Sequence, residues 1–495
     1  MLKYEQELFY HQQAGVDFLS RRPAAMLADE MGLGKSRQAL VAAARLHTRG
    51  LAQRVLILCP AAVRYAWGEE LGKLVNSGFT PTYVSYSPKD GKLKILTNTP
   101  KCLEVCVASY GLMRLDKDTA RINHIKNLYN WCVAKDTILI CDESSFLKSK
   151  DAKQTQGVTE VSQACKYRWL LTGTPVVNSP IDLWSQGVVM GGGKPDGPIK
   201  GFKNFYSFRA RYFFMSGFKM KEPFIIDEKL PELQQKFKPF VLRREKFDCL
   251  DLPPKAWTIR EVPLAKETWK IYQELKKEAL LALPDKEILP EPNAATRLLR
   301  LCQLTSGHVG IGSMAGTNMP FSMEDVSAEK LLWFIKDAFD GELSQQQHLV
   351  VWCRWRRERE RLAKMISVKD SVEIHELYGG QTEANRSIAI SNFQEKGYKR
   401  KFFLAQQAAG AYGITLTAAH TAVYMSNDFS YVTRIQSEDR LHRIGQEHAV
   451  LYLDVLATGP DGQRTTDHHV RDVLKEKKDL ATLTCSAWRR MLEES

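Results

Sequence analysis

The segment Asp29-Glu-Met-Gly-Leu-Gly-Lys-Ser36 follows the apolar stretch Ala24-Ala-Met-Leu-Ala28 and precedes a helix-like run from Arg37 to Ala44. A glycine-rich turn between a strand and a helix aims backbone N–H groups at phosphate oxygens. Here Gly32 and Gly34 let the backbone come close, Lys35 reaches the β and γ phosphates of a nucleotide, and Ser36 holds Mg²⁺. The generic phosphate loop has glycine where this chain has Asp29, and for the tripeptide Gly34-Lys-Ser36 alone an ordinary capping turn is the competing reading. A second element is Ile138-Leu-Ile-Cys-Asp-Glu143, a carboxylate pair at the end of a buried strand. Asp142 suits a magnesium held through water, and Glu143 suits orienting and deprotonating an attacking water. The stretch Leu170-Leu-Thr-Gly-Thr-Pro175 ends another strand, and the three strand ends are expected side by side over one crevice. In Gln436-Ser-Glu-Asp-Arg-Leu-His-Arg-Ile-Gly-Gln446, Arg440 and Arg443 are three apart, which on a helix gives them one face. Two guanidiniums so placed stabilise charge on a phosphoryl group in transit; a solvated basic helix is the rival reading.

The elements that must position these residues are short buried strands alternating with amphipathic helices. Arg54-Val-Leu-Ile-Leu-Cys59, Thr137-Ile-Leu-Ile-Cys141, His348-Leu-Val-Val-Trp352 and Lys401-Phe-Phe-Leu-Ala405 are compact apolar runs of the kind found in parallel sheets covered on both faces. Two stretches interrupt the alternation. Residues 190–223 carry a glycine-rich turn and then a basic aromatic run, from Phe202 through Arg209 and Arg211 to Lys219 and Lys221, which reads either as core at helical spacing or as a protrusion gripping a nucleic-acid backbone. Residues 264–326 begin helical and turn Gly/Met/Ser-rich, and Asp251-Leu-Pro-Pro254 stops regular structure, so the boundary between two α/β halves is drawn between Arg244 and Ser327.

The chain has 495 residues with 70 Lys+Arg against 57 Asp+Glu, a formal charge of +13 that favours a polyanionic partner. No apolar run reaches the roughly 18 residues of a membrane span, and no signal peptide opens the chain, so a non-exported protein with no membrane partner is expected. Ten cysteines are scattered, and the closest pair, Cys102 and Cys106, lacks zinc-ribbon spacing; reduced thiols are expected.

Together these segments resemble the Swi/Snf-like branch of the superfamily 2 helicase-type ATPases, from about Leu8 to Leu480 and in the family's order. Leu8-Phe-Tyr-His-Gln12 is similar to the opening motif, which assigns adenine recognition to Gln12. Asp29 to Ser36 resembles the branch's own phosphate loop, Asp29 included. Leu58-Cys-Pro-Ala-Ala-Val-Arg-Tyr-Ala-Trp67 and Ala108-Ser-Tyr-Gly-Leu112 resemble its nucleic-acid-contacting segments, which implies contacts from Arg64, Trp67 and Ser109. Leu171 to Asn178 resembles the motif coupling hydrolysis to movement, and Phe240-Val-Leu-Arg-Arg-Glu-Lys246 the inter-lobe signature. Later segments, Tyr378 to Thr382, Gly410 to Ala419 and Gln436 to Gln446, follow the second lobe's motifs, implying nucleotide contacts at Gly413 and Gln436 and a nucleic-acid contact at Thr415, while in the basic run Arg354 to Arg361 at a strand-to-helix junction Arg354 is read as a phosphate contact and the other charges as a solvated face. Asp467 to Lys477 resembles a closing brace helix. The chain departs from the family in placing Ser145 where a His is usual, and in Gln406-Gln-Ala-Ala-Gly410 with Ala411-Tyr412 where small residues are usual.

The resemblance implies two RecA-like α/β lobes with parallel sheets, residues 1–245 and 327–495, with a helical insertion at 246–326 between them and another near 190–223. It also implies ATP and Mg²⁺ sandwiched between lobes, and a DNA-dependent ATPase translocating on double-stranded DNA. Its rivals are an RNA or single-strand unwinding helicase and a nucleotide-gated DNA-binding scaffold. A monomer whose specificity a protein partner could supply, cytoplasmic if of bacterial or viral type and nuclear if eukaryotic, is the accompanying expectation.

Overall fold

Leu56, Ile57 and Leu58 are fully buried, as are Ile138 to Cys141, Val350 to Cys353 and Phe402 to Ala405, and each run is a strand flanked on both sides by other strands. The computed structural model describes residues 8–478 apart from 77, 87–91, 96–101, 115–117, 174–179, 217–221, 282–291, 312–321, 370–371, 396 and 411–412. Two compact units divide it after Asp251.

The first unit is built on an eight-stranded sheet of β1 (Ala24–Leu27), β2 (Arg54–Cys59), β3 (Thr82–Tyr86), β4 (Leu93–Ile95), β5 (Glu104–Ser109), β6 (Thr137–Asp142), β7 (Tyr167–Leu171) and β10 (Val241–Leu242), in the order β10-β1-β7-β6-β2-β5-β3-β4. The β3–β4 pair is antiparallel and the others are parallel, so the carboxyl ends of β1, β7, β6, β2 and β5 share one edge. Loops at that edge of a parallel sheet are where ligands bind. Of the described residues in 190–223, Phe208, Tyr212 and Phe213 are buried in the main cluster and Phe202 packs on it. The hairpin of β8 (Phe213–Ser216) and β9 (Glu222–Ile225) leaves the stacked pair Phe214 and Phe224 exposed; Lys219 and Lys221 lie outside the described residues.

The second unit has a parallel six-stranded sheet of β11 (Lys255–Pro263), β14 (His348–Cys353), β15 (Val372–Leu377), β16 (Arg400–Gln406), β17 (Thr421–Tyr424) and β18 (Val450–Thr458), in the order β11-β18-β17-β14-β16-β15. The stretch 246–326, expected between the lobes, supplies this sheet with β11, registered along the whole of β18 from Lys255↔Val450 to Pro263↔Thr458. It also supplies the antiparallel pair β12 (His308–Ile311) and β13 (Ser322–Asp325). The helix Pro292–Thr305 is tied to the C-terminal helix 466–478: Thr305 Oγ1 donates to Asp467 Oδ1 at 2.7 Å, and Asp467 Oδ2 accepts from Lys330 Nζ and the Ala457 amide, each at 2.9 Å.

Beside this brace Glu358 is fully buried, accepting from Ser426 Oγ, and burial pushes its carboxyl from 4.5 up to about 7. A carboxyl raised by folding contributes stability below its ordinary range, and that contribution is lost as pH rises through about 7. Glu358→Gln is therefore expected to raise the melting temperature by several degrees near pH 8 and to leave it unchanged near pH 5. Equal melting of the two proteins at both pH values would remove Glu358 as a buried ionisable liability. Among the described residues no helix is long and apolar enough to cross a membrane, and no group of three or more His, Cys, Asp or Glu could hold a metal ion.

Candidate active site

After β1 the chain turns through Gly32 and Gly34 at φ 90° and 76°, and the helix Lys35–Thr48 begins at once. Both angles are in the left-handed region, where glycine carries no Cβ penalty. At Gly34 a Cβ would also lie 2.4 Å from the Gln12 amide nitrogen, so the loop closes only on glycine. The helix offers its first-turn N–H groups beside the loop, with Lys35 and Ser36 as its first two residues. Lys35 Nζ donates to the carbonyls of Asp29 and Glu30 at 2.8 and 3.4 Å. Gln12, expected to read adenine, is buried on the loop's backbone: its Nε2 donates to the Leu33 carbonyl at 3.3 Å and its Oε1 accepts from the Phe9 amide at 3.2 Å.

Asp29 is no defect in the loop. Its fully buried carboxylate accepts from Arg244 Nε at 2.9 Å and from Arg244 Nη2 at 2.5 Å, and Gln38 Nε2 adds a bond at 3.2 Å. Arg244 also donates to Gln38 Oε1 at 2.9 Å and to the His11 carbonyl. Room for this comes from Gly15 in the helix Tyr10–Ser20, where a Cβ would sit 1.7 Å from Gln38 Oε1 and 2.9 Å from the guanidinium. Glycine inside a helix costs about 1 kcal/mol relative to alanine, and here that cost admits a buried ion pair. Backbone bonds continue the lacing, from the Ala28 amide to the Leu242 carbonyl at 2.7 Å and from the Glu30 amide to the Arg244 carbonyl at 2.9 Å.

β6 delivers the carboxylate pair. Asp142 is buried at the strand's end, and Glu143 follows at φ 50°, the one non-glycine among the described residues with positive φ. Such a conformation costs on the order of 1–3 kcal/mol and persists where surrounding structure imposes it, which happens most at functional sites. Burial pushes the Asp142 carboxyl above the usual carboxylate range, opposed by the Trp67 N–H and by the Lys35 charge. Trp67 is fully buried, with its indole nitrogen 2.8 Å from Asp142 Oδ2. The nucleic-acid contact expected of Trp67 is thus corrected: in the helix Arg64–Asn76 the side chain is buried and its indole faces the carboxylate box. Arg64 opens that helix and Ser109 ends β5, both partly exposed near the same sheet edge. A hydroxyl at Ser36 and a carboxylate at Asp142 are hard oxygen donors, a set that fits Mg²⁺. Thr174 to Asn178 of the coupling motif lie outside the described residues.

In the second unit Arg440 and Arg443 do come together, but on a turn. The helix Tyr431–Glu438 ends before them, and both guanidiniums donate to the Ile414 carbonyl, at 3.1 and 3.0 Å. The expectation of a shared helical face is corrected: the helix stops at Glu438, both arginines lie in the turns that follow, and Gln446 Nε2 fixes those turns on the Ala419 and Leu441 carbonyls at 2.9 and 3.2 Å, with Gly445 at φ 95°. Gly413 precedes that shared carbonyl at φ 68°, and partly exposed Thr415 follows it. Gln436 is fully buried with neither amide atom hydrogen-bonded among the described residues, a state that costs about 1–3 kcal/mol and that a polar ligand would relieve. Arg354 is engaged within its own unit: it stacks 4.6 Å over Trp355, approaches Asp428 at 3.7 Å, and is only 15% exposed. Ala411 and Tyr412 lie outside the described residues.

Sequence reasoning missed Arg244 as the partner of Asp29 and Trp67 and Tyr110 as supports of Asp142. The signal for the first was present, an aspartate in the glycine position of the loop, but it names no partner.

Residues 11–305 match the family described as SNF2-related domain, and residues 329–445 match the helicase conserved C-terminal domain. The chain is 25% identical over 471 residues to the putative ATP-dependent helicase/translocase YwqA of Bacillus subtilis, covering 92% of this chain and 46% of that protein. It is 28% identical over 493 residues to a Caenorhabditis elegans homologue of the SWI/SNF-related, matrix-associated, actin-dependent regulator of chromatin subfamily A-like protein 1, covering 96% and 61%. It thus spans about half the length of the curated relatives it matches. The structure of the Sulfolobus solfataricus SWI2/SNF2 ATPase core in complex with dsDNA aligns over 96% of this chain and 92% of that one, at 22% identity and a TM-score of 0.41.

Proposed function

The chain belongs to the SNF2-related family, and from that premise we propose that it is a DNA-dependent ATPase that translocates on double-stranded DNA and remodels the duplex or the proteins bound to it. The observation that carries the hydrolytic half is the alignment of two strand ends on one sheet edge: β1 leading into Lys35 and Ser36, and β6 ending in Asp142 and Glu143. The N–H groups around Gly32 and Gly34 bind the β and γ phosphates of ATP, and the Lys35 ammonium leaves the Asp29 and Glu30 carbonyls to neutralise them. Ser36 and Asp142 would hold Mg²⁺, which would supply further neutralisation of the phosphate charge. Glu143 takes a proton from water as its oxygen attacks the γ phosphorus. The bond from that phosphorus to the bridging oxygen breaks, leaving ADP and phosphate. Arg440 and Arg443, gathered on one carbonyl, are assigned the stabilisation of charge on the phosphoryl group in flight.

The nucleic-acid half is supported by the +13 charge, by Arg64 and Ser109 at the sheet edge, and by relatives that carry the names helicase/translocase and chromatin-remodeling ATPase. A motor tracking phosphates binds them without regard to sequence and with strong salt dependence, so duplex affinity is expected to fall on the order of a thousandfold between 50 and 200 mM salt. The test is steady-state ATP hydrolysis with no nucleic acid, duplex DNA, single-stranded DNA and RNA. Stimulation by duplex DNA is expected; stimulation chiefly by RNA or single strands would replace the translocase with an unwinding helicase, and absence of turnover on every substrate would leave a scaffold.

A further inference from the structure

We infer that Trp67 is a positioning residue that presents Asp142 to the divalent cation, and that with Tyr110 it makes this presentation respond to nucleic acid. The inference rests on the ATP-site reading above.

Both oxygens of the Asp142 carboxylate have a fixed protein donor. Oδ2 accepts from the Trp67 indole at 2.8 Å, and Oδ1 accepts from the Glu143 amide at 3.0 Å. One donor on each oxygen fixes the plane of the carboxylate and leaves its remaining lone pairs in a set direction. The backbone of the same residue is fixed as well, since the buried Tyr110 hydroxyl donates to the Asp142 carbonyl at 2.8 Å. A buried indole needs some acceptor, and backbone carbonyls would serve at no electrostatic cost. This one instead takes a buried carboxylate, whose charged form the N–H stabilises. Partners of this kind around a metal ligand typically change metal affinity 10- to 100-fold when removed.

The two donors also stand directly beside the residues that face outward. Trp67 is one turn after Arg64 in the helix that follows β2, and Tyr110 directly follows Ser109 at the end of β5. A phosphate backbone engaging Arg64 and Ser109 would shift the first turn of that helix and the 3₁₀ turn Tyr110–Arg114. Either shift moves a donor on Asp142. Nucleic acid would thus alter the affinity of the site for Mg²⁺ through Trp67 and Tyr110.

The test uses the full chain and reads binding, not turnover: a fluorescent ADP analogue titrated with Mg²⁺, in wild type, Trp67→Phe, Asp142→Asn and the double variant, each with a thermal melt. Phenylalanine keeps the aromatic fill and removes the N–H. Trp67→Phe is expected to raise the Mg²⁺ midpoint about tenfold and to leave magnesium-free nucleotide affinity unchanged. In the Asp142→Asn background it should add nothing, because the group it positions is already altered. Duplex DNA should shift the midpoint in wild type and fail to do so in Trp67→Phe. Tyr110→Phe, which loses only a hydroxyl, should move the midpoint the same way by a smaller factor and serves if the indole variant does not fold. An unchanged midpoint in folded Trp67→Phe, or an equal loss in the Asp142→Asn background, overturns the positioning role; a DNA shift that persists in Trp67→Phe overturns the coupling. Wild-type protein that binds no magnesium-nucleotide sinks the ATP-site reading itself, and this inference with it.

Discussion

Glu143→Gln is expected to lower duplex-stimulated ATP turnover about a thousandfold while nucleotide binding and the melting temperature stay near wild type. Glutamine has the same length and shape but its amide cannot accept the proton of the attacking water. The backbone argues that shape must be preserved, for Glu143 sits at φ 50° and ψ 53° between the buried strand β6 and the 3₁₀ turn Ser144–Phe146. That conformation is imposed by the Asp142 side chain, which accepts the Glu143 amide, and by the Phe146 amide, which donates to the Glu143 carbonyl at 2.9 Å. An isosteric change leaves both bonds intact. Lys35→Ala makes the contrast, because it removes the charge that neutralises the phosphates and should weaken nucleotide binding as well. The measurement is turnover at saturating duplex beside an equilibrium titration with nucleotide. Turnover of Glu143→Gln within tenfold of wild type would remove Glu143 as the base.

The parts legible in the sequence are those whose physics is local. A run such as Arg54 to Cys59 announces a doubly covered strand because every residue in it must be buried, and the structure places it between β5 and β6. The phosphate loop is legible because left-handed turns require glycine at Gly32 and Gly34. Spacing fails where the answer lies elsewhere in the chain. Trp67 and Asp142 are 75 residues apart, so an aromatic in a motif could be read as a surface contact when its N–H was directed at a carboxylate. Arg440 and Arg443 have helical spacing, yet the helix stops at Glu438 before either of them, and a carbonyl outside the segment gathers them. The strand β11 reads as part of a linker because Asp251-Leu-Pro-Pro254 directly before it stops regular structure, and its partner β18 begins almost two hundred positions later.

The second large effect is expected at Arg244. Arg244→Gln should destabilise the first unit by about 3–5 kcal/mol, because it leaves the fully buried Asp29 carboxylate without its cation. The partners are 215 residues apart, so the pair closes the first sheet by fastening β10 and the segment after it onto the loop after β1. Removing the arginine also takes the donor from Gln38 Oε1 and from the His11 carbonyl, the latter in the helix that carries Gln12. Arg244→Lys should fall between, since a single ammonium cannot span both carboxylate oxygens as the guanidinium fork does. If the cost arises from an uncompensated charge, the double change Asp29→Asn with Arg244→Gln should recover at least half of the lost stability, because the buried charge is gone with its partner. Urea unfolding, followed through amide exchange in the helix Lys35–Thr48, reads the effect in the unit where it arises. A single-variant loss below about 1 kcal/mol would make the pair ornamental, and a double variant no better than Arg244→Gln would trace the loss to the bonds Arg244 makes with Gln38 and the His11 carbonyl instead of to charge.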